Sequence, residues 1–278
     1  MDKLLSVIIP TYNRKELTNK AVASVVTEFP SLVEIVVVDD CGSFAYSFDA
    51  LNTGGIPVRV IRLNRNVGAG MARQAGVTHA SGQFIAFLDS DDCFDAGWID
   101  YVFASLKSRA GNLNCRVLIT GIARGERRVG ALVRRMLVGL PQSLQLIASR
   151  IMATLFNPFY TQSMVMSREL CIFKDELRYC EDYYSTAFAL FGANKIFLPK
   201  IVACHLGRAP NSPGGLSSVR EKMFRGEMQV RFLMLQEPSV PLGYKLLVPV
   251  GMAYQWCRAG VKSVLRFGAS LLGVALRS

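Results

Sequence analysis

The sequence has no uncharged apolar run of the roughly 18–20 residues that a membrane-spanning helix needs. Its longest apolar stretches, residues 246–257 and 267–276, fall short, and Pro249 interrupts the first. Met1 leads almost directly into a strand-like segment, without the basic and apolar regions of a secretory signal. The chain is therefore expected on the cytoplasmic side of any membrane it touches. The 7 cysteines (Cys41, Cys93, Cys115, Cys171, Cys180, Cys204 and Cys257) are odd in number and scattered, with no Cys-x-x-Cys pair. Reduced, mostly buried thiols are expected in place of disulfides or a zinc site. Histidine is scarce: His79 lies in a helix-like segment and receives no role, and His205 is the other. Whole-domain repeats and low-complexity segments are also missing. What remains, 278 residues with 51% hydrophobic and 19% charged side chains, excludes a disordered chain and suits one large α/β domain with additions. A mean hydropathy of +0.27 keeps a membrane surface in consideration.

Acidic residues are missing from one half only. Residues 1–123 hold 11 Lys and Arg against 12 Asp and Glu, whereas residues 124–278 hold 21 against 9. From Gly243 to Ser278 there is no Asp or Glu at all. A neutral front and a strongly basic back point to two tasks in one chain, the second involving phosphates of nucleic acid or of anionic lipid.

In the front half, strand-like runs alternate with helical patterns. Residues 6–10, 34–38, 58–63, 83–88 and 117–120 are short and rich in β-branched residues. Residues 15–29, 70–79 and 96–109 carry helical spacing between them. Apolar strands without alternation, separated by helices, predict a mostly parallel central sheet flanked by helices. Ligands of such sheets bind beyond the carboxyl ends of the strands. Thr11, Tyr12 and Asn13, then Asp39 and Asp40, then Asp89 to Asp92 fall at three of those ends. Further on, residues 161–167 read as a strand, 182–191 as a helix introduced by acids, and 196–205 as one extended segment before a loop with Pro210, Pro213, Gly214 and Gly215. Composition divides the chain at 1–123, 124–215 and 216–278.

Asp89-Ser90-Asp91-Asp92 puts three carboxylates within four residues. Like charges so close raise one another's pKa unless a cation joins them. Hard oxygen ligands select Mg²⁺ or Mn²⁺, which bind through a few carboxylates together with substrate phosphates. The competing reading is a solvated turn capping the next helix; the other acidic strand ends favour the metal–diphosphate site. Residues 66–73 invite a dinucleotide-binding reading, but Arg73 stands where the third glycine of Gly-x-Gly-x-x-Gly belongs. A dehydrogenase is not expected.

Four segments occur in order: Ser6-Val7-Ile8-Ile9-Pro10-Thr11-Tyr12-Asn13-Arg14, Val36-Val37-Val38-Asp39-Asp40, Asn66-Val67-Gly68 through Ala72-Arg73, and Phe87-Leu88-Asp89-Ser90-Asp91-Asp92. Together they resemble the nucleotide-binding half of family 2 glycosyltransferases, and Phe173 through Glu181-Asp182 resembles that family's acceptor-side segment. The resemblance covers about two-thirds of the chain and implies the GT-A fold. It implies that Pro10, Thr11 and Tyr12 border the base of a nucleotide-sugar donor, that Asp40 accepts a hydrogen bond from the base, and that Arg73 approaches the diphosphate. Asp89 and Asp91 match an Asp-x-Asp pair, Asp91 as metal ligand and Asp89 nearer the ribose, with Ser90 between them and Asp92 an adjoining acid. Asp182 matches the general base, with Glu181 beside it on the acceptor side. Without the resemblance, Glu181-Asp182 reads as acids favoured at a helix N-terminus. His205 is a candidate third metal ligand, or equally a histidine of the core or surface. Cys41 departs from the family, standing where many members have glycine. The implied reaction is a metal-assisted single displacement that inverts the anomeric carbon, UDP-linked donors being the first expectation and a bacterial surface polysaccharide or lipopolysaccharide pathway the setting.

The basic back half carries no helix-turn-helix, zinc or aromatic RNA-binding pattern, so nucleic acid is not expected. Arg127 and Arg128 recur as Arg134 and Arg135, and Arg258, Lys262 and Arg266 follow at four-residue spacing. The expectation is a basic amphipathic helical C-terminal region lying in the plane of an anionic membrane, against the inner face, near a saccharide or lipid-linked acceptor. A helical subdomain with a solvated basic edge is the plainer alternative. For the whole chain, the alternative is a non-catalytic GT-A-like scaffold bound to the membrane.

Overall fold

The structure, a computed structural model, describes residues 3–49, 51–107, 116–124, 128–157, 159–198, 201–205, 207 and 219–257. Strand β1 (Leu5–Thr11) is buried along its whole length and pairs in parallel with β2 (Val33–Asp39) on one side and β4 (Phe84–Phe87) on the other. β3 (Val58–Arg62) is the edge beyond β2. With β6 (Val117–Thr120), β8 (Met164–Ser167) and β9 (Lys195–Phe197) the sheet has seven strands in the order β3-β2-β1-β4-β8-β6-β9, and β8 alone runs against the rest. The mostly parallel sheet expected from the apolar runs is present. β8 and β9 come from beyond the compositional divide at 123/124, which itself falls inside β7 (Ile122–Arg124).

Each buried strand feeds two cores because its side chains alternate. Ile8, Val36, Val38, Ile85 and Phe87 face one core, which contains residues of α2 (Ala69–His79) and α6 (Glu181–Gly192). Val7, Ile9, Ile35, Val37 and Leu88 face the other, with α1 (Lys15–Ala23) and α3 (Trp98–Ser105). Burial on both faces explains why the strands read as continuous apolar runs.

Several expected elements end elsewhere, for local reasons. The helix expected over 15–29 stops at Ala23: the Ser24 hydroxyl donates to Ala21 O (2.7 Å), and the chain then turns to place Thr27 Oγ1 and the Glu28 N–H on Asp100 Oδ1 (2.5 and 3.0 Å). α3 starts late because β5 (Cys93–Phe94) comes first and Gly97 takes φ +80° before the helix. Residues 161–163 form a 3-10 turn ahead of β8. The segment expected as one extended run over 196–205 divides between two sheets. β9 belongs to the large one, whereas β10 (Val202–His205) joins β5 and β7 in a three-stranded sheet of order β5-β10-β7. Gly121 makes that corner possible, since a Cβ there would stand 2.4 Å from Ala203 Cβ and 2.9 Å from the Trp98 ring.

The back half is helical as expected: α4 (Arg128–Val138), α5 (Gln142–Leu155), α7 (Arg220–Gln236), α8 (Leu242–Lys245) and a helix over residues 248–257. Arg135 is exposed on α4. Arg127, the Pro210–Gly215 loop and the spaced Arg258, Lys262 and Arg266 lie outside the described residues. No described helix is long and apolar enough to cross a membrane.

A buried carboxylate ties the amino-terminal ends of β1 and β2 to the turn before β4. Glu34 Oε1 accepts from Ser6 Oγ (2.6 Å), Ser81 N (2.6 Å) and Ser81 Oγ (2.7 Å), while Ser6 Oγ accepts from Gly82 N (2.9 Å). Burial alone would raise the Glu34 pKa, but the bonds from Ser6 and Ser81 outweigh it and hold the group below its ordinary 4.5. A folded-state pKa below the unfolded one contributes stability above the unfolded value, and that stability is lost as pH falls through the folded value. Glu34→Gln should cost about 1–3 kcal/mol at neutral pH. In urea denaturation curves the deficit should shrink as pH drops below 4.5; a deficit independent of pH would remove the carboxylate from this account.

Candidate active site

The carboxyl ends of β2, β1 and β4 lie side by side. Because the chain winds outward from β1 to β2 and β3 and then returns to β4, the connections leaving β1 and β4 diverge and open a crevice there. All three expected polar strand ends lie along this edge.

At the first two ends most polar groups are engaged within the protein. Thr11 is buried, and its hydroxyl is shared with Thr18 Oγ1 (2.7 Å) and the Tyr46 phenol (2.9 Å). Pro10 is buried in β1, and Tyr12, directly after the strand, is 48% exposed. Asp39 accepts from Gly42 N (2.8 Å) and lies 3.5 Å from Arg62. The two oxygens of Asp40 accept from Val67 N (2.7 Å) and Gly68 N (2.8 Å), fixing the loop that leads into α2. Asp40 is thus a fastening of the site as well as the acid that the resemblance sets against a base. Cys41, the departure from the family's glycine, adopts φ +64°. A non-glycine residue in this left-handed region costs about 1–2 kcal/mol, so the turn keeps the glycine conformation without the glycine.

At the end of β4, the carboxylates of Asp89, Asp91 and Asp92 each offer an oxygen within 4.8 Å of the others. Among the described residues they are the one group of three such side chains close enough to hold a metal ion. The turn is closed by Asp92 N donating to Asp89 O (3.0 Å), with Ser90 buried inside it. Asp91 pairs with Arg14 (2.9 Å), and Asp92 accepts from Gly207 N (2.8 Å). Burial first, and the charges of Asp89 and Asp91 with it, push Asp92 up to about 8. A cluster that repels its own third charge fits a divalent cation, and all-oxygen donors suit Mg²⁺ or Mn²⁺. The structure does not bring His205 into this group. Its Nε2 lies 3.2 Å from Asp95 Oδ1, on β10 opposite Cys93. The third acid beside the Asp-x-Asp pair is Asp92.

Arg73, buried on α2, joins this cluster to the acids of α6. One guanidinium nitrogen contacts Asp89 Oδ1 (2.6 Å) and another Glu181 Oε1 (3.2 Å). Gln162 donates to the second oxygen of Asp89. Close approach of α2 to α6 requires Gly70, where a Cβ would stand 2.7 Å from Glu181 Cγ. Cys180 precedes α6 at φ +61°. Burial, with Asp182 next to it, pushes Glu181 up to about 7 against the pull of Arg73. Burial also raises Asp182, whose Oδ1 accepts from Tyr183 N (2.7 Å). Arg14 and Gln162 received no role from the sequence, although Arg14 closes the first quoted segment. An arginine at a strand end opposite an acid cluster was the available signal for Arg14. Gln162 had none, because its reach depends on the 3-10 turn before β8.

Curated relatives match this chain over short stretches: 33% identity over 99 residues with the Escherichia coli protein described as UDP-Glc:alpha-D-GlcNAc-diphosphoundecaprenol beta-1,3-glucosyltransferase WfgD, covering 36% of this chain and 39% of that one. With the Rhizobium meliloti succinoglycan biosynthesis protein ExoO, identity is 40% over 85 residues, covering 31% of this chain and 24% of that one. The chain thus spans between a quarter and two-fifths of the length of these relatives. Among solved structures, S. aureus TarS 1-349 in complex with UDP-GlcNAc superimposes with a TM-score of 0.65 at 22% identity, over 91% of this chain and 72% of that one. Mannosyltransferase PcManGT from Pyrobaculum calidifontis, in complex with GDP-Man and Mn²⁺, gives 0.64 at 15% identity, over 98% and 81%. These likenesses give the fold, which is GT-A. The sequence signature described as Glycosyl transferase family 2 matches residues 6–163, more than half the chain, and the chain belongs to that family.

Proposed function

We propose that this chain transfers a sugar from a nucleotide-sugar donor, UDP-linked, to a hydroxyl of a saccharide or lipid-linked saccharide acceptor, with inversion at the anomeric carbon. Its setting is the synthesis of a bacterial surface polysaccharide or lipopolysaccharide on the cytoplasmic face of the membrane, where it works as a peripheral protein. The observation that carries this reading is Arg73, which holds the acid cluster of β4 and the acids of α6 at the two ends of one guanidinium. Donor and acceptor chemistry are thereby kept within one side chain's length. WfgD, named for a UDP-glucose donor and a GlcNAc-diphosphoundecaprenol acceptor, and the UDP-GlcNAc complex of TarS support the choice of donor and acceptor class.

In this mechanism Tyr12, Pro10 and Thr11 border the base, and Asp40 stands beside it while fixing the loop before α2. Asp91 and Asp89, with Asp92 adjoining, would hold Mg²⁺ or Mn²⁺, which would supply positive charge to offset that of the nucleoside diphosphate. Asp182, half-buried and raised in pKa, takes the proton from the acceptor hydroxyl as that oxygen attacks the anomeric carbon. The bond to the diphosphate breaks on the opposite face. Glu181, held by Arg73, stands beside Asp182 on the acceptor side and shares the guanidinium with Asp89.

Thermal-shift titration with UDP-, GDP- and dTDP-sugars should show stabilisation led by UDP-sugars and dependent on Mn²⁺. Asp182→Asn should keep that stabilisation and lose transfer by about 100-fold or more. Full transfer by this variant moves the base elsewhere, and absence of any nucleotide-sugar effect favours the non-catalytic scaffold. Because the Asp182 pKa is raised and the base must be ionised, transfer should fall with decreasing pH at values above the ordinary aspartate range. Arg73→Met should cost about 3–5 kcal/mol by leaving Asp89 and Glu181 uncompensated. In a double-mutant cycle with Glu181→Gln, read by urea denaturation, part of that loss should return, with a coupling of about 0.5–3 kcal/mol; strict additivity would show that the bridge is incidental.

A further inference from the structure

The helical path after α7 buries Val248 in the core but carries a second apolar face on its outside. α8 and residues 248–257 follow one another almost without a break, with Leu246 N donating to Leu242 O and Gly251 N to Leu247 O, both at 3.1 Å. The inward side is partly polar. Gln255 is 1% exposed and its Nε2 has no hydrogen-bond partner, and the helix crosses Arg231, which is fully buried. At Gly251 the backbone lies directly on the end of α5, where a Cβ would stand 2.1 Å from Thr154 O.

The outward side is apolar. Leu242, Leu246, Val250 and Tyr254 recur every four residues and are 74%, 70%, 57% and 46% exposed. Trp256 is 62% exposed beside them, in edge contact with Phe224. Every exposed residue from 241 to 257 is apolar, aromatic or glycine. Val248 and Met252 already tie the helix to the core, so the large apolar side chains on its outer face are surplus to that packing.

We propose that the outward face of residues 242–257 is a membrane-docking surface, taken up by the headgroup and upper acyl region of an anionic bilayer. This rests on the reading of the chain as a peripheral membrane enzyme and assigns that task to a specific face. Charge complementarity selects the occupant. From Gly243 to Ser278 the sequence holds five Lys or Arg and no acid, which matches anionic headgroups. Tyr254 and Trp256, at the end of the stripe, are the side chains that favour the boundary between apolar and wet regions. Outward Leu and Val supply the insertion, and Lys245 with the cations that follow in the sequence supplies the attraction.

Tryptophan reports on this directly. The protein has 2 Trp; Trp98 is fully buried and Trp256 exposed, so iodide quenching reads Trp256. On adding phosphatidylglycerol-containing vesicles to the full chain, emission should shift to the blue and quenching should fall, whereas phosphatidylcholine vesicles should leave both unchanged. Leu242→Ser/Leu246→Ser/Val250→Ser should reduce co-sedimentation with anionic vesicles by about tenfold or more, with its thermal transition and its shift by UDP-sugar and Mn²⁺ retained. Undiminished sedimentation of this variant overturns the proposal, as does equal binding to phosphatidylcholine. Shielding of Trp256 without vesicles also overturns it, by a second copy if the shielding depends on protein concentration and by the chain's own residues if it does not. Failure here leaves donor binding and transfer to a soluble acceptor intact, whereas failure of the glycosyltransferase reading removes those and leaves vesicle binding unaffected.

Discussion

Burying Arg73 obliges the protein to bring carboxylates to it from two directions, and much of the site follows from that requirement. The guanidinium stays charged, so its desolvation must be offset by Asp89 on one side and Glu181 on the other. Asp89 comes from the end of β4 and Glu181 from the start of α6, elements separated by nearly a hundred residues of sequence. Holding both within reach fixes how α6 approaches the sheet. It also explains why α2 carries Gly70 at the crossing, where any side chain would displace Glu181.

The sheet order makes this meeting possible. β1 lies between β2 and β4, so acids following β2 and β4 flank one crevice, and the loop from Asp40 to Gly68 brings α2, with Arg73, over it. β8, the one reversed strand, lies beside β4, and the turn before it delivers Gln162 to Asp89 from beyond the compositional divide at 123/124. The small sheet returns β10 to β5 just after the acid cluster, which is how Gly207 N reaches Asp92.

The parallel core was legible because its strands are buried on both faces and leave an unmistakable apolar record. The acidic strand ends were legible for the same reason, as polar residues abruptly follow apolar runs. Element limits were less so. Nothing in the spacing of Leu17, Ala21 and Val25 tells that Asp100, far along the chain, will capture Thr27 and Glu28 and end α1 early. The single extended segment expected over 196–205 hid a change of sheet between β9 and β10, a matter of which neighbours accept its hydrogen bonds. His205 stands at the end of β10, where its Nε2 lies 3.2 Å from Asp95 Oδ1, a neighbour that the extended segment alone did not reveal. Glu34 gave no signal, since a lone acid in a strand reads as solvated until Ser6 and Ser81 are found around it.

The acids at the crevice share a residue type but differ in what surrounds them. Asp39 and Asp40 are as buried as Asp92; Asp39 accepts from Gly42 N with Arg62 3.5 Å away, and Asp40 accepts from Val67 N and Gly68 N. These bonds fix the turn after β2 and the loop that leads into α2. At Asp92, Glu181 and Asp182, burial together with neighbouring carboxylates pushes the pKa upward. A folded protein tolerates such unsettled carboxylates where a cation, a proton in transit or a substrate will share their charge. They occur here on the two sides of Arg73, so the same side chain that the fold must satisfy also stands between the acids after β4 and those that open α6.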